Sequence, residues 1–166
     1  MDTTLTITHE GRTYVAMTPE QLTEAGVPAE VIQQALDAQI IHQAEQQIDA
    51  VADRIFTASA SRAARYEGKL REALQYHEAG NPTTKAAKAE YPMLAAESAA
   101  RGISMKQMAD AILQAAARYR DFAALAEAKR AQLKVDVPAA ADEAAKQATA
   151  AAIVAEVQQA AQALQQ

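Results

Sequence analysis

Residues 90–114 read EYPMLAAESAARGISMKQMADAILQ and hold two helix starts with one helix stop between them. Tyr91 precedes a proline, which pushes it out of helical geometry, and Pro92 suits the first position of a new helix. Gly102 is placed to end that helix in a left-handed conformation. Ser104 then caps the next helix, Gln107 completes a capping box, and Ile103 staples onto Met108. This punctuation predicts a sharp turn between two helices, and with it a helical fold.

Downstream of the turn, Met105, Met108, Ile112, Ala115, Tyr119, Phe122, Ala126 and Leu133 keep steps of three and four, interrupted by Lys129. The spacing predicts an amphipathic helix over 105–134, about 45 Å long at ~1.5 Å per residue. VDVP at 135–138 reads as a break. Beyond it, Ala150, Ile153, Val157, Ala160 and Leu164 offer a thin seam in an alanine- and glutamine-rich end, expected to fray without a partner.

Upstream, Gly80-Asn81-Pro82 ends a helix carrying Tyr66, Leu70, Ala73 and Leu74. Its expected cap is Ser61, at the end of a weak stretch, TASAS, at 57–61. A longer helix opened by Pro28 carries a heptad-like seam of Ile41, Ala44, Ile48, Val51 and Ile55. Before it, Thr18 caps a short helix with Pro19 at its first position, Gln21 closing the box, Met17 stapling onto Leu22, and Gly26 as the stop. The opening TLTITHEGRTYVAM alternates Leu5 and Ile7 with threonines, then resumes with Tyr14 and Val15 after His9-Glu10-Gly11-Arg12, with a central glycine. It reads as a β-hairpin, which needs a helix or another subunit over its apolar face.

The predicted class is therefore mainly α: an N-terminal β-hairpin followed by helical hairpins with long amphipathic helices, coiled-coil-like. The expected division is a hairpin at 1–17, an acidic helical arm at 18–57, a helical-hairpin module at 58–134, and a linker with a helical tail at 135–166. Half of the 166 residues are hydrophobic but only 4% are aromatic, so the core is thin and self-association has apolar surface to cover. Residues 1–57 carry nine acidic and two basic side chains, whereas 58–138 carry nine and thirteen, which suits association between unlike segments or subunits. The same distribution argues against nucleic acid as a partner. The chain has no cysteine, no signal peptide and no apolar run approaching ~20 residues, so no membrane span is expected and the default compartment is the cytosol.

No motif for nucleophilic, phosphate or zinc chemistry occurs, and no catalytic residue, cofactor or metal is expected. Glu45, Asp49 and Asp53 form an acidic stripe that resembles half of a bundle metal site, yet no Glu-x-x-His pair accompanies it, and it reads as a solvated face. Arg62, Arg65 and Lys69 share a helical face better suited to salt pairing than to phosphate. The candidate interaction seam comprises Ile41, Ile48, Val51, Ile55, Met105, Met108, Ile112, Tyr119 and Phe122.

One resemblance runs through the middle of the chain, on Tyr66, Lys69, Ala73, Tyr91-Pro92, Leu94, Glu97, Gly102, Ala109, Ile112, Ala115, Glu127 and Arg130. These positions resemble a module of small tail-fibre assembly and tail-associated proteins of tailed bacteriophages and prophages. The opening GRTYVAMTPEQLTEAGVPAEVI is similar to the starts of some such proteins, and the two stretches together cover somewhat over half of the chain. The resemblance implies a non-enzymatic role through contacts with a phage tail or tail-fibre protein, as a homo-oligomer or in a hetero-complex. It places the chain in the host bacterial cytoplasm during assembly or in the virion tail, and a departing chaperone and a virion component both stay open. The competing class is a phage-encoded helical regulator or inhibitor that binds a host protein.

Overall fold

A computed structural model describes residues 3–56 and 60–164. The chain is mainly helical, with one two-stranded antiparallel hairpin at its N-terminus followed by long packed helices. In order the elements are β1 (Leu5–His9), β2 (Arg12–Met17), α1 (Pro19–Glu24), α2 (Ala29–Phe56), α3 (Ala60–Glu78), α4 (Lys85–Glu90), α5 (Pro92–Arg101), α6 (Met105–Ala139) and α7 (Glu143–Leu164).

Two compact units divide these elements. The first comprises Met1–Ala52 with Leu125–Ala163, and the second comprises Asp53–Ala124 with the last three residues. In the first unit the hairpin turns through Glu10 and Gly11, both at positive φ, as a two-residue turn of the mirror-image type requires. A bulge at Ala16, φ 52°, lets its N–H reach Thr6 Oγ1 at 3.3 Å and shifts the register so that Leu5 pairs with Met17 while Ile7 pairs with Tyr14. Leu5 and Ile7 then pack on Leu22, Val27 and Ile32, so α1 and the start of α2 supply the cover that the ribbon needs. The expected capping box forms at Thr18 and Gln21.

The rest of the first unit is a set of helices held by the seam of α2, the C-terminal part of α6, and α7. Ile48, Leu133, Val137 and Val157 are fully buried, and Ala44, Ala126, Ala150, Ile153 and Val154 are buried as well. One expectation fails here. VDVP is helical, because Leu133 and Val137, one turn apart, are both buried and their burial outweighs the proline's lost hydrogen bond in the final turn of α6. The last segment is a helix, as its seam suggests: the 22-residue α7, with Lys146, Ala150, Ile153, Val154, Val157 and Ala161 buried.

The second unit gathers α3, α4, α5 and the first part of α6 around Ala73, Tyr76, Ala87, Tyr91, Leu94, Met108 and Ala109. Tyr76 and Tyr91 meet edge to face with ring centres 5.4 Å apart. The turn between α5 and α6 follows its punctuation. Gly102 adopts φ 65°, Ile103 N–H donates to the Ser98 carbonyl at 3.0 Å, and Ser104 and Gln107 exchange both bonds of the capping box at 3.1 and 3.0 Å. Ser61, the expected cap of α3, instead lies inside that helix, and residues 57–59 of the weak stretch fall outside the described residues. The short α4, capped by Thr84, has no counterpart among the sequence expectations.

Candidate functional site

α3 carries two apolar stripes, and only one faces the core of the second unit. Ala73 and Tyr76 point inward and are fully buried. Tyr66, Leu70 and Leu74, spaced by four, form the other stripe; Tyr66 is 61% and Leu74 46% exposed. Beside it lies an open groove of 420 Å³ lined by Glu67, Leu70, Arg71, Leu74, Gln75 and Glu78. All six belong to α3. They form two successive i, i+3, i+4, i+7 sets, the shape of hole that receives a knob from a facing helix.

The inward side of α3 is fixed by polar contacts as well as by packing. Lys69 pairs with Glu97 of α5 at 2.5 Å, and Arg101 reaches the other oxygen of Glu97 at 2.7 Å. Lys69's hydrogen bond, foremost, holds the Glu97 carboxyl below its ordinary range. Glu72 accepts the N–H of Leu94 at 2.9 Å and so serves as a cap from outside α5, whose own Tyr91 supplies none. His77 meets Asp110 at 2.8 Å, and Lys106 bonds its second oxygen at 2.8 Å. With these contacts on one side, Tyr66 and Leu74 are left exposed and Leu70 half-buried between them.

The residues of the expected seam are spread over both units. In the first unit Ile48 is fully buried while Ile41 and Val51 are half-buried. In the second, Met108 is buried, Met105 and Ile112 pack against the same core, Phe122 is buried, Ile55 is half-buried and Tyr119 is 43% exposed. Met105, Met108 and Ile112 are therefore occupied in the core of the second unit. The apolar pattern of α3 includes Leu70 and Leu74 of the groove face, yet periodicity alone does not single that face out as a site.

Asp49 and Asp53 of the acidic stripe are exposed, as a solvated face requires, and two of the stripe's carboxylates also form ion pairs. Glu45 pairs with Lys134 at 3.1 Å and Asp49 with Arg130 at 2.5 Å. Lys129 reaches Glu156, and the Lys146 ammonium donates to both oxygens of Asp37, at 2.7 and 2.9 Å. Asp37 and Lys146 are buried, with Gln33 Nε2 donating to Asp37 at 2.9 Å. A smaller polar groove of 290 Å³ lies between α2 and α7, among Gln43, Gln47 and Gln147.

Among the described residues, no group of three or more metal-ligating side chains is close enough to hold an ion, and no helix is long and apolar enough to cross a membrane. The geometry offers a surface for contact with another helix. Comparison of the chain with protein families, curated proteins and solved structures gives no match.

Proposed function

We propose that this chain is a tail-associated or tail-fibre assembly protein of a tailed bacteriophage or prophage, acting without catalysis through helical protein contacts. The observation that carries the reading is where the residues of the resemblance fall. Ala73, Tyr91, Leu94 and Ala109 are core residues of the second unit, Lys69 and Glu97 form its ion pair, and Gly102 is its left-handed cap. Several of the matching positions thus take part in the core, pairing and capping of the second unit, whereas Glu127 and Arg130 lie in the first unit and Tyr66 and Ala115 are exposed. The outward groove of α3 adds a place for another helix on that same unit.

The test is mass spectrometry of purified virions from the phage or induced prophage, with co-purification of the tagged chain and the tail-fibre product. Recovery in virions, or in a stable complex with a tail protein, supports the reading. Absence from both, together with stable binding to a host protein, overturns it in favour of an inhibitor.

A further inference from the structure

We infer that the outward face of α3 is a self-association surface, on which α3 of a second copy packs antiparallel about a two-fold axis that crosses the helix at the level of residue 69. The inference rests on the homo-oligomer part of the proposed function and is independent of the assignment to phage tails.

Three observations on this face agree on that one geometry. The stripe of Tyr66, Leu70 and Leu74 has a four-residue spacing, leaving gaps of one helical turn between its side chains. In an antiparallel pair centred at residue 69, position 66 of one copy stands opposite position 72 of the other. That is the middle of the groove spanning residues 67–78, so Tyr66 enters between Leu70 and Leu74 of the second copy. Leu70 likewise falls between Tyr66 and Leu70 of the second copy, and the two stripes interdigitate.

Charge agrees with the apolar fit. The groove is flanked by Glu67 and Arg71, opposite in sign and one turn apart on the same side. Among the described residues neither has a hydrogen bond or ion pair within the chain, in contrast to Lys69, Glu72 and His77 on the inward side. The same axis sets Glu67 of each copy opposite Arg71 of the other, giving two reciprocal ion pairs. A parallel arrangement in register sets like residues side by side and loses that reciprocity. The occupant that satisfies the spacing, the groove and both charges is thus the helix itself.

The test uses the full chain, with light scattering after size exclusion across a concentration series and circular dichroism to confirm folding. Glu67→Arg, Arg71→Glu, the double exchange and Leu74→Asp are compared with the parent. The parent is expected to dimerise. Each single reversal places two like-charged pairs across the axis and weakens the dimer about tenfold or more, whereas the double exchange returns it to within about threefold of the parent. Leu74→Asp abolishes dimerisation while the helical content stays unchanged. A monomer at every concentration overturns both this surface and the homo-oligomer reading. A trimer or larger assembly, a dimer indifferent to these variants, or a double exchange no better than the single reversals overturns the surface alone.

Discussion

Removing the ammonium of Lys146 should damage the first unit more than any other single charge deletion, because it leaves a carboxylate buried. The Asp37 and Lys146 side chains are only 11% and 7% exposed, and the two bonds between them measure 2.7 and 2.9 Å. Among the described residues, the donor left to Asp37 after Lys146→Met is Gln33 Nε2, a neutral amide. Breaking one side of a buried pair costs about 3–5 kcal/mol, whereas replacing both partners with apolar residues is neutral or stabilising by up to ~4 kcal/mol. The double variant Asp37→Leu with Lys146→Met should therefore regain the loss of the single one. For a chain of this size, 3 kcal/mol corresponds to a fall of roughly 6–12 °C in melting temperature. Hydrogen exchange reads the location, with protection lost first along α7 and the facing part of α2. Additive single and double effects, each below ~1 kcal/mol, would refute the reasoning by showing that α7 docks without the pair.

Three further outcomes follow from the structure. Gly102→Val should cost about 1–2 kcal/mol or more from the left-handed backbone alone, since no atom lies within 4 Å of an added Cβ; Ser104→Ala should cost about 0.5–2 kcal/mol, both read by denaturant titration. Glu97 and Asp110 titrate below their ordinary values of 4.5 and 3.8, chiefly through hydrogen bonds from Lys69 and Lys106. Their contribution to the second unit is present above those values and is lost as pH falls through the lower folded ones. In an NMR carboxyl titration, Lys69→Met should raise the Glu97 midpoint and leave Asp110 in place. Ile48→Asp buries a charge at a position with no exposed surface, so the first unit should unfold, visible as lost helical signal instead of a change of oligomeric state alone.

The helix class, the hairpin and the caps were legible because each rests on local chemistry. Thr18 with Gln21, Ser104 with Gln107, and Gly102 act within a few residues of themselves, and the structure returns all three. What stayed illegible depends on which elements meet. Val135–Pro138 carries a helix-breaking signal that is overruled only because Leu133 and Val137 find a buried seam. Glu72 caps α5 across 22 positions of sequence, beyond the reach of any local rule. α3 is the sharpest case. Its pattern mixes residues of two stripes, Ala73 from the buried one and Tyr66, Leu70 and Leu74 from the outward one, and periodicity alone does not say which stripe meets the core. The lysine and glutamate on its inner side, paired to α5 and to the α5 backbone, settle that question only in three dimensions.

The charge asymmetry had two possible destinations, another segment or another subunit, and much of it is used within the chain. Glu45 and Asp49 step forward by four along α2, while Lys134 and Arg130 step back by four along α6, so both pairs close together only in one antiparallel register. A slip of one helical turn leaves one pair where there were two, and a slip of one residue rotates the charges off the shared face. A seam made largely of alanine, isoleucine and valine supplies little discrimination of that kind, because small side chains tolerate sliding. The ion pairs of α7, Lys146 with Asp37 and Glu156 with Lys129, impose the same constraint on the third helix. Charges spent on internal register are unavailable for recognition. A surface for another chain needs complementary charges that flank apolar side chains and are left unpaired, and among the described residues Glu67 with Arg71 beside Leu70 and Leu74 meets that condition.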